Sequence, residues 1–269
     1  MIDSMKKAKE GGYCVPAFGV GNEVNFRAVL KAAENKNAPV IMLVMANNIA
    51  DWFTTGRFFV DLAVRSSVPV SIILDHGATY EDAINAIRAG FSDIMIDRSS
   101  LPYEENVAQV SELVKVAHAV GVGVEGELGH VGFADDDPDN CFTNPTEAVD
   151  YVNRTGIDAL AVAIGTVHGQ YKKKPNLQFD LLKTLSAEVP VPLALHGGSG
   201  SGDENLRKAC SLGIQKLNIA YDLYLAAVNN LKTVDMTDWH AYTLFQMIGD
   251  AITKKAEYYI DLTGATDKA

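Results

Sequence analysis

Three of the six histidines in the sequence, His76, His168 and His196, are each followed by glycine and come shortly after an apolar run. Each is therefore expected at the carboxyl end of a strand. A single histidine there is most often a hydrogen-bonded structural residue. Three histidines on one rim, with an open fourth position, are typical of catalytic zinc, because neutral imidazoles suit zinc whereas magnesium and calcium prefer oxygen ligands. The pattern predicts a zinc site.

Carboxylates accompany these histidines. Asp75 precedes His76 and is a candidate acid/base, because neighbouring rim side chains can both reach a substrate. The alternative is that Asp75 only orients a metal-bound histidine. Glu125 and Glu127 lie two positions apart and share one face of a predicted strand. A buried ion-pair network is the alternative for both glutamates.

A glycine-rich loop, GGSG at residues 197–200, follows His196 and precedes a helix expected to begin near Asp203. Such a loop exposes successive backbone N–H groups and can bind an anion. The alternative is a tight loop without a ligand. The loop's position beside His196 favours an anion site.

The composition argues against nucleic acid and membranes as partners and against a disulfide-bonded or exported protein. The 269 residues carry a formal charge of −11, which opposes binding to nucleic acid. Cys14, Cys141 and Cys210 lack the spacing of a metal site, and we expect free thiols in a reducing cytoplasm. No apolar stretch follows the first lysines, and no run of eighteen apolar residues occurs. We therefore expect no signal peptide and no membrane span.

Eight apolar strands alternate with helical patterns along the chain. The predicted strands are residues 13–20, 39–45, 68–74, 93–96, 123–128, 158–164, 192–195 and 215–219. Near-continuous apolar runs are typical of parallel strands buried on both faces. The alternation predicts an α/β fold, a (β/α)8 TIM barrel that forms a single domain over residues 1–269, with a doubly wound open sheet as the alternative. The polar stretch 129–144 after the fifth strand is predicted to be a lid.

Taken together, six stretches resemble the class II fructose-bisphosphate/tagatose-bisphosphate aldolase family. They are LDHG (74–77), AGFSDIMID (89–97), VEGELG (124–129), DALAVAIGTVHGQY (158–171), LHGGSG (195–200) and KLNIA (216–220). The resemblance covers nearly the whole chain and implies a barrel enzyme with a catalytic zinc. Such an enzyme reversibly cleaves a ketose phosphate into dihydroxyacetone phosphate and an aldehyde.

The resemblance also implies roles for the metal residues. His76, His168 and His196 match the family's zinc ligands. Glu127, together with Asp97, matches the carboxylates of a shifted or second metal position, which a second divalent or a monovalent cation would occupy. Zinc would act as a Lewis acid on the enediolate left by cleavage, so no Schiff-base lysine is needed.

For the substrate, the resemblance assigns Asp75 as the acid/base at the hydroxyl group next to the breaking bond. It implies a sugar phosphate substrate and a homodimer or homotetramer. The residues that match the family's contacts to the dihydroxyacetone-phosphate half are Gly169, Gly197, Ser199 and Asn218.

The sequence departs from the family where the rest of the substrate binds. Asp135 stands where the family has the glutamate that moves a proton at the nucleophilic carbon. A family asparagine is Gly19, a serine is Met45, a threonine is Tyr221, and no arginine follows Arg207. We therefore expect the aldehyde half to lack the usual terminal phosphate or to bind it through other residues, such as the lysines at 172–174. Two other functions stay open, a metal-dependent epimerase or hydrolase and a non-catalytic sugar-phosphate-binding relative.

Overall fold

Eight parallel strands close into a barrel in chain order, with β8 pairing with β1. The structure is a computed structural model and describes residues 1–49, 51–132, 142–173, 175–235 and 239–269. The strands are β1 (Val15–Gly19), β2 (Val40–Val44), β3 (Val70–Gly77), β4 (Asp93–Ile96), β5 (Gly123–Leu128), β6 (Ala159–Val162), β7 (Leu193–Leu195) and β8 (Ile214–Ile219). This closure confirms the predicted (β/α)8 barrel over the alternative of an open sheet.

Helices surround the barrel. They are α1 (Ile2–Gly11), α2 (Glu23–Asn35), α3 (Arg57–Val64), α4 (Tyr80–Ala89), α5 (Tyr103–Ala119), α6 (Pro145–Thr155), α7 (Phe179–Glu188), α8 (Asp203–Ser211), α9 (Tyr221–Lys232) and α10 (Leu244–Leu262). A 3₁₀ turn, Trp239–Thr243, precedes α10. Among the described residues, no helix is both long enough and apolar enough to cross a membrane.

Local sequence signals set the ends of helices beside the site. Helix α4 begins at a capping box in which Thr79 and Asp82 each accept a hydrogen bond from the other's backbone N–H. It ends at Gly90, whose φ of 99° lies in the left-handed region that favours glycine. The capped start of α4 therefore follows directly after β3 and lies beside the carboxyl end of that strand.

Candidate active site

The end of β3 carries two adjacent polar residues, Asp75 and His76. The pairing of β3 with β4 shifts register between Leu74 and Gly77, and His76 has a φ of 47°, which non-glycine residues rarely adopt. A Cβ atom at Gly77 would lie 2.8 Å from the carbonyl oxygen of Met95, so a side chain there would collide with β4. This irregularity breaks the usual alternation of side chains at the end of the strand.

The three histidines that precede glycine converge at one end of the barrel. Nitrogen atoms of His76, His168 and His196 lie within 4.8 Å of one another. Nδ1 of His196 is 2.9 Å from Nε2 of His76, and the rings of His76 and His168 meet nearly edge to face, with centroids 4.9 Å apart. The structure thus brings together all three histidines that the sequence singled out.

Hydrogen bonds to the opposite ring nitrogens orient two of these imidazoles. Nδ1 of His76 lies 2.9 Å from Oδ2 of Asp97, and Nδ1 of His168 lies 2.9 Å from the carbonyl oxygen of Val131. Each acceptor favours a proton on Nδ1 and so directs Nε2 towards the cluster. The side chain that orients His76 is therefore Asp97, rather than the adjacent Asp75.

In His196 the opposite ring nitrogen, Nε2, contacts a buried carboxylate, so Nδ1 faces the cluster. Its Nε2 lies 2.8 Å from Oε1 of Glu125, and that oxygen also accepts a hydrogen bond of 2.8 Å from Nζ of Lys216. All three side chains are fully buried. Burial opposes ionisation of Glu125, but the positive charge of Lys216 and the bond from His196 hold its pKa at about 2. Glu125 therefore belongs to the buried network that the sequence left as an alternative.

Glu127 faces the histidines instead. Its Oε1 accepts a hydrogen bond of 3.1 Å from the N–H of Val131, while Oε2 is buried without a hydrogen-bond partner among the described residues and lies 3.7 Å from Nδ1 of His196. Burial raises the pKa of Glu127. Ligand atoms of Glu127, His76 and Asp97 also lie within 4.8 Å of one another. A buried carboxylate oxygen with no donor, beside three imidazoles, fits a divalent cation such as zinc.

The charges in the cluster are unequal. Burial disfavours the imidazolium form of His76, but carboxylates around it, Asp75 first, raise its pKa to about 9. Burial, reinforced by His196 and His76, lowers the pKa of His168 to about 4. A cation that binds at the cluster must therefore compete with a proton on His76.

Asp75 faces β8 across the barrel end. The side chain is buried, and its Oδ1 lies 3.5 Å from Nδ2 of Asn218. Asp97, and not Asp75, is the carboxylate bonded to His76, so the geometry favours the acid/base interpretation of Asp75 over an orienting role. Asn218, which the resemblance assigns to substrate binding, lies on the same side of the site.

The glycine-rich loop packs against the start of α9. The Ser199 hydroxyl accepts hydrogen bonds of 3.2 Å from the N–H groups of Ala220 and Asp222, so its own hydrogen is available to a ligand. At Gly198, a Cβ atom would lie 2.8 Å from the carbonyl oxygen of Asn218, which explains the need for glycine. The loop thus lies beside the end of β8, where barrels often bind phosphate.

The two glycines that the resemblance assigns to substrate binding, Gly169 and Gly197, have left-handed backbone conformations. Gly169 has a φ of 83° and open space where a side chain would project, whereas Gly197, with a φ of 67°, packs directly against the carbonyl group of Val167.

Asp135 lies outside the described residues, as does 133–141 of the predicted lid. Two residues of the site were not identified from the sequence, Lys216 and Tyr171, although both fall within the stretches that carry the resemblance.

Comparisons with known proteins agree with this geometry. The family described as fructose-bisphosphate aldolase class-II matches residues 1–268. Fructose-bisphosphate aldolases of Staphylococcus aureus and Staphylococcus epidermidis are each 37% identical over 259 residues, covering 93% of this chain and 91% of the relative. The crystal structure of the YdjI aldolase from Escherichia coli K12 superposes with a TM-score of 0.91 at 33% identity, covering 100% of this chain and 98% of that one. The chain therefore belongs to the class II fructose-bisphosphate aldolase family, whose members are carbon–carbon lyases.

Proposed function

We propose that this protein is a zinc-dependent aldolase that reversibly cleaves a ketose phosphate into dihydroxyacetone phosphate and an aldehyde. The observation that carries the proposal is the convergence of His76, His168 and His196 beside the buried carboxylate of Asp75. A protein that only bound a sugar phosphate would have no need of an acid/base group next to a metal site.

In this proposal the three histidines hold the zinc ion. Glu127 provides a carboxylate for a shifted or second position, which a second divalent or a monovalent cation would share with Asp97. A bound zinc ion would supply Lewis-acid stabilisation for the negative charge that carbon–carbon cleavage leaves. The orphaned Oε2 atom of Glu127 and the orienting bonds on the imidazoles support this assignment.

Two carboxylates move protons in the proposed reaction. Asp75 accepts the proton of the hydroxyl group next to the breaking bond and returns it in the condensation direction, with Asn218 as a neighbouring donor. Asp135 serves the nucleophilic carbon, as its place in the sequence implies. If Asp135→Ala exchanges the α-proton of dihydroxyacetone phosphate with solvent as fast as the wild type, Asp135 is not the base.

The dihydroxyacetone-phosphate half would bind at the ends of β6, β7 and β8. Its contacts in this proposal are Gly169, Gly197, Ser199 and Asn218. The hydroxyl group of Ser199, which only accepts hydrogen bonds among the described residues, and the open space beside Gly169 support an anion at this place. We also propose that residues 1–269 form one domain, and that the protein is a cytoplasmic homodimer or homotetramer, which light scattering would test.

The test is a release assay. Zinc-loaded protein is incubated with a panel of ketose monophosphates and bisphosphates, and dihydroxyacetone phosphate is measured with a reductase that consumes it. The proposal expects release from at least one ketose phosphate and loss of release after chelation. Isomerisation of a sugar phosphate, or release of inorganic phosphate, without dihydroxyacetone phosphate would show an epimerase or a hydrolase instead. Tight binding without any conversion would show a non-catalytic relative.

A further inference from the structure

The hydroxyl group of Tyr171 bridges the loops that follow β6 and β7. The backbone N–H of Val167 donates to the Tyr171 oxygen over 3.0 Å, and the Tyr171 O–H donates to the carbonyl oxygen of Gly197 over 2.9 Å. Oγ of Ser201 lies 2.9 Å from the same hydroxyl oxygen. One phenol group thus contacts backbone or side-chain atoms of both loops.

These loops are also in direct backbone contact. Gly197 packs so closely on the carbonyl group of Val167 that a side chain would not fit, and its φ of 67° is one that glycine adopts without strain. On the other side, a Cβ atom at Gly200 would lie 3.2 Å from Cδ2 of Tyr171. The ring and its hydroxyl group therefore lie against both loops, beside the point where their backbones meet.

The two loops carry different parts of the proposed site. His168 follows Val167 directly and belongs to the proposed metal site, whereas Ser199 lies in the loop proposed for the phosphate group. His196, the metal residue that precedes Gly197, is held independently by its bond to Glu125. We propose that Tyr171 is a positioning residue that fixes the distance between these two parts, so that one dihydroxyacetone-phosphate unit can contact both. This inference rests on the proposed function. Tyr171 acts here through the loops, without touching the substrate.

Ligands that contact one part and ligands that contact both respond differently to such a spacer. Zinc alone would bind imidazoles that Asp97, Val131 and Glu125 already orient, and inorganic phosphate alone can bind at the Ser199 loop without reaching the metal site. Neither ligand therefore depends strongly on the distance between the two parts. Dihydroxyacetone phosphate and the transition state span that distance, and small misplacements of reacting groups reduce rates strongly, by up to about 10²-fold for a displacement of roughly 1 Å. A purely structural role would instead weaken every ligand to a similar degree.

The experiment uses Tyr171→Phe, which removes the hydroxyl group and keeps the ring. Titration calorimetry on zinc-loaded protein measures the Kd of dihydroxyacetone phosphate and of inorganic phosphate, and a competing chelator measures the Kd of zinc. We expect dihydroxyacetone phosphate to bind about tenfold more weakly and kcat/KM to fall about 10- to 100-fold. The affinities for zinc and for inorganic phosphate are expected to change by less than about threefold.

Two further variants complete the test. Ser201→Ala removes the contact of Ser201 with the phenol and the bond of 3.0 Å that Ser201 donates to Gly197, but it keeps the bonds of Tyr171 to Val167 and Gly197. It should give the same pattern at a smaller size. Tyr103→Phe removes a hydroxyl bond to Asp150 on the helices outside the barrel end, and it should leave all the constants unchanged.

The outcomes separate the inference from the function on which it rests. Unchanged binding of dihydroxyacetone phosphate in Tyr171→Phe, with an active wild type, would overturn the positioning role alone. Equal losses for zinc, inorganic phosphate and dihydroxyacetone phosphate would also overturn it. A wild type that binds zinc but not dihydroxyacetone phosphate would contradict the proposed function and, with it, this inference.

Discussion

Nδ1 of His196 lies 2.9 Å from Nε2 of His76, because a carboxylate bonded to the far nitrogen of each ring holds that ring in place. Asp97 bonds the far nitrogen of His76, and Glu125 bonds the far nitrogen of His196. Although burial disfavours its charged form, the carboxylates around His76, Asp75 first, raise its pKa to about 9, which favours a proton on this ring. A cation bound at the cluster replaces that proton, so the two rings are already held for coordination.

Zinc content provides the first test of this arrangement. We expect His168→Ala and His196→Ala each to lose zinc after dialysis, because each removes one of three imidazoles that converge within 4.8 Å. His118→Ala is the matched control, since His118 pairs with Asp158 away from the cluster. The measurement is zinc by atomic emission per mole of folded protein. Full occupancy in both cluster variants would contradict the metal assignment.

Asp75 should matter for turnover and little for the metal. We expect Asp75→Asn to keep zinc and fold while kcat falls about 10²–10⁴-fold, the usual contribution of a positioned acid/base group. The reason is that His76 takes its orientation from Asp97, whereas Asp75 contacts Asn218. Steady-state kinetics and zinc analysis on one preparation check both parts. A variant with unaltered kcat would leave Asp75 a structural residue.

The losses of unfolding free energy caused by removing Lys216 and Glu125, which form a buried ion pair, should not be additive. Removing either charge alone, in Lys216→Met or Glu125→Gln, leaves the other buried without its ion-pair partner and should cost about 3–5 kcal/mol of unfolding free energy. The double variant should cost clearly less than the sum of the two. Denaturant unfolding of the zinc-free proteins gives the three values. Effects that add to within about 0.5 kcal/mol would show that the pair is not coupled.

Much of the fold and of the histidine cluster could be predicted from the sequence, because buried parallel strands leave continuous apolar runs and the histidines follow those runs. The ion pair of Lys216 could not be predicted, since a lysine within a strand gives no sign of which carboxylate will compensate its charge across the barrel. The roles of Glu125 and Glu127 could not be separated either. They share a face of β5, and only packing against β8 and against the cluster distinguishes them.

The irregular end of β3 gives a prediction about stability. In Gly77→Ala the added methyl group would meet the side chain of Leu74 at 2.7 Å and the Met95 carbonyl oxygen at 2.8 Å. We expect a loss of about 1–3 kcal/mol from overpacking, together with weaker zinc binding. Gly249→Ala is the control, because its methyl group would meet only Val24, at 3.7 Å, within helix α10. That change should raise stability by up to about 1 kcal/mol. Equal stabilities in the two variants would contradict the role assigned to Gly77.

The last prediction concerns the number of phosphate groups on the substrate. A second phosphate needs charge-assisted donors, and Met45, which is 40% exposed at the end of β2, offers none. At Gly19, a Cβ atom would lie 2.6 Å from Cβ of Ala220, so no side chain fits there. We therefore expect a ketose 1-phosphate to be cleaved with a kcat/KM within about tenfold of that of the matching 1,6-bisphosphate, a difference of roughly 1.4 kcal/mol in transition-state binding.

The exposed Lys172 and Lys173 are the alternative source of donors for a second phosphate, and Lys174 lies outside the described residues. The variant Lys172→Ala/Lys173→Ala separates the two cases. If the wild type prefers the bisphosphate by a hundredfold or more, about 2.7 kcal/mol, and this preference disappears in the variant, the lysines form a second phosphate site and the prediction is wrong. If neither protein prefers the bisphosphate, the site recognises a single phosphate group on its substrate.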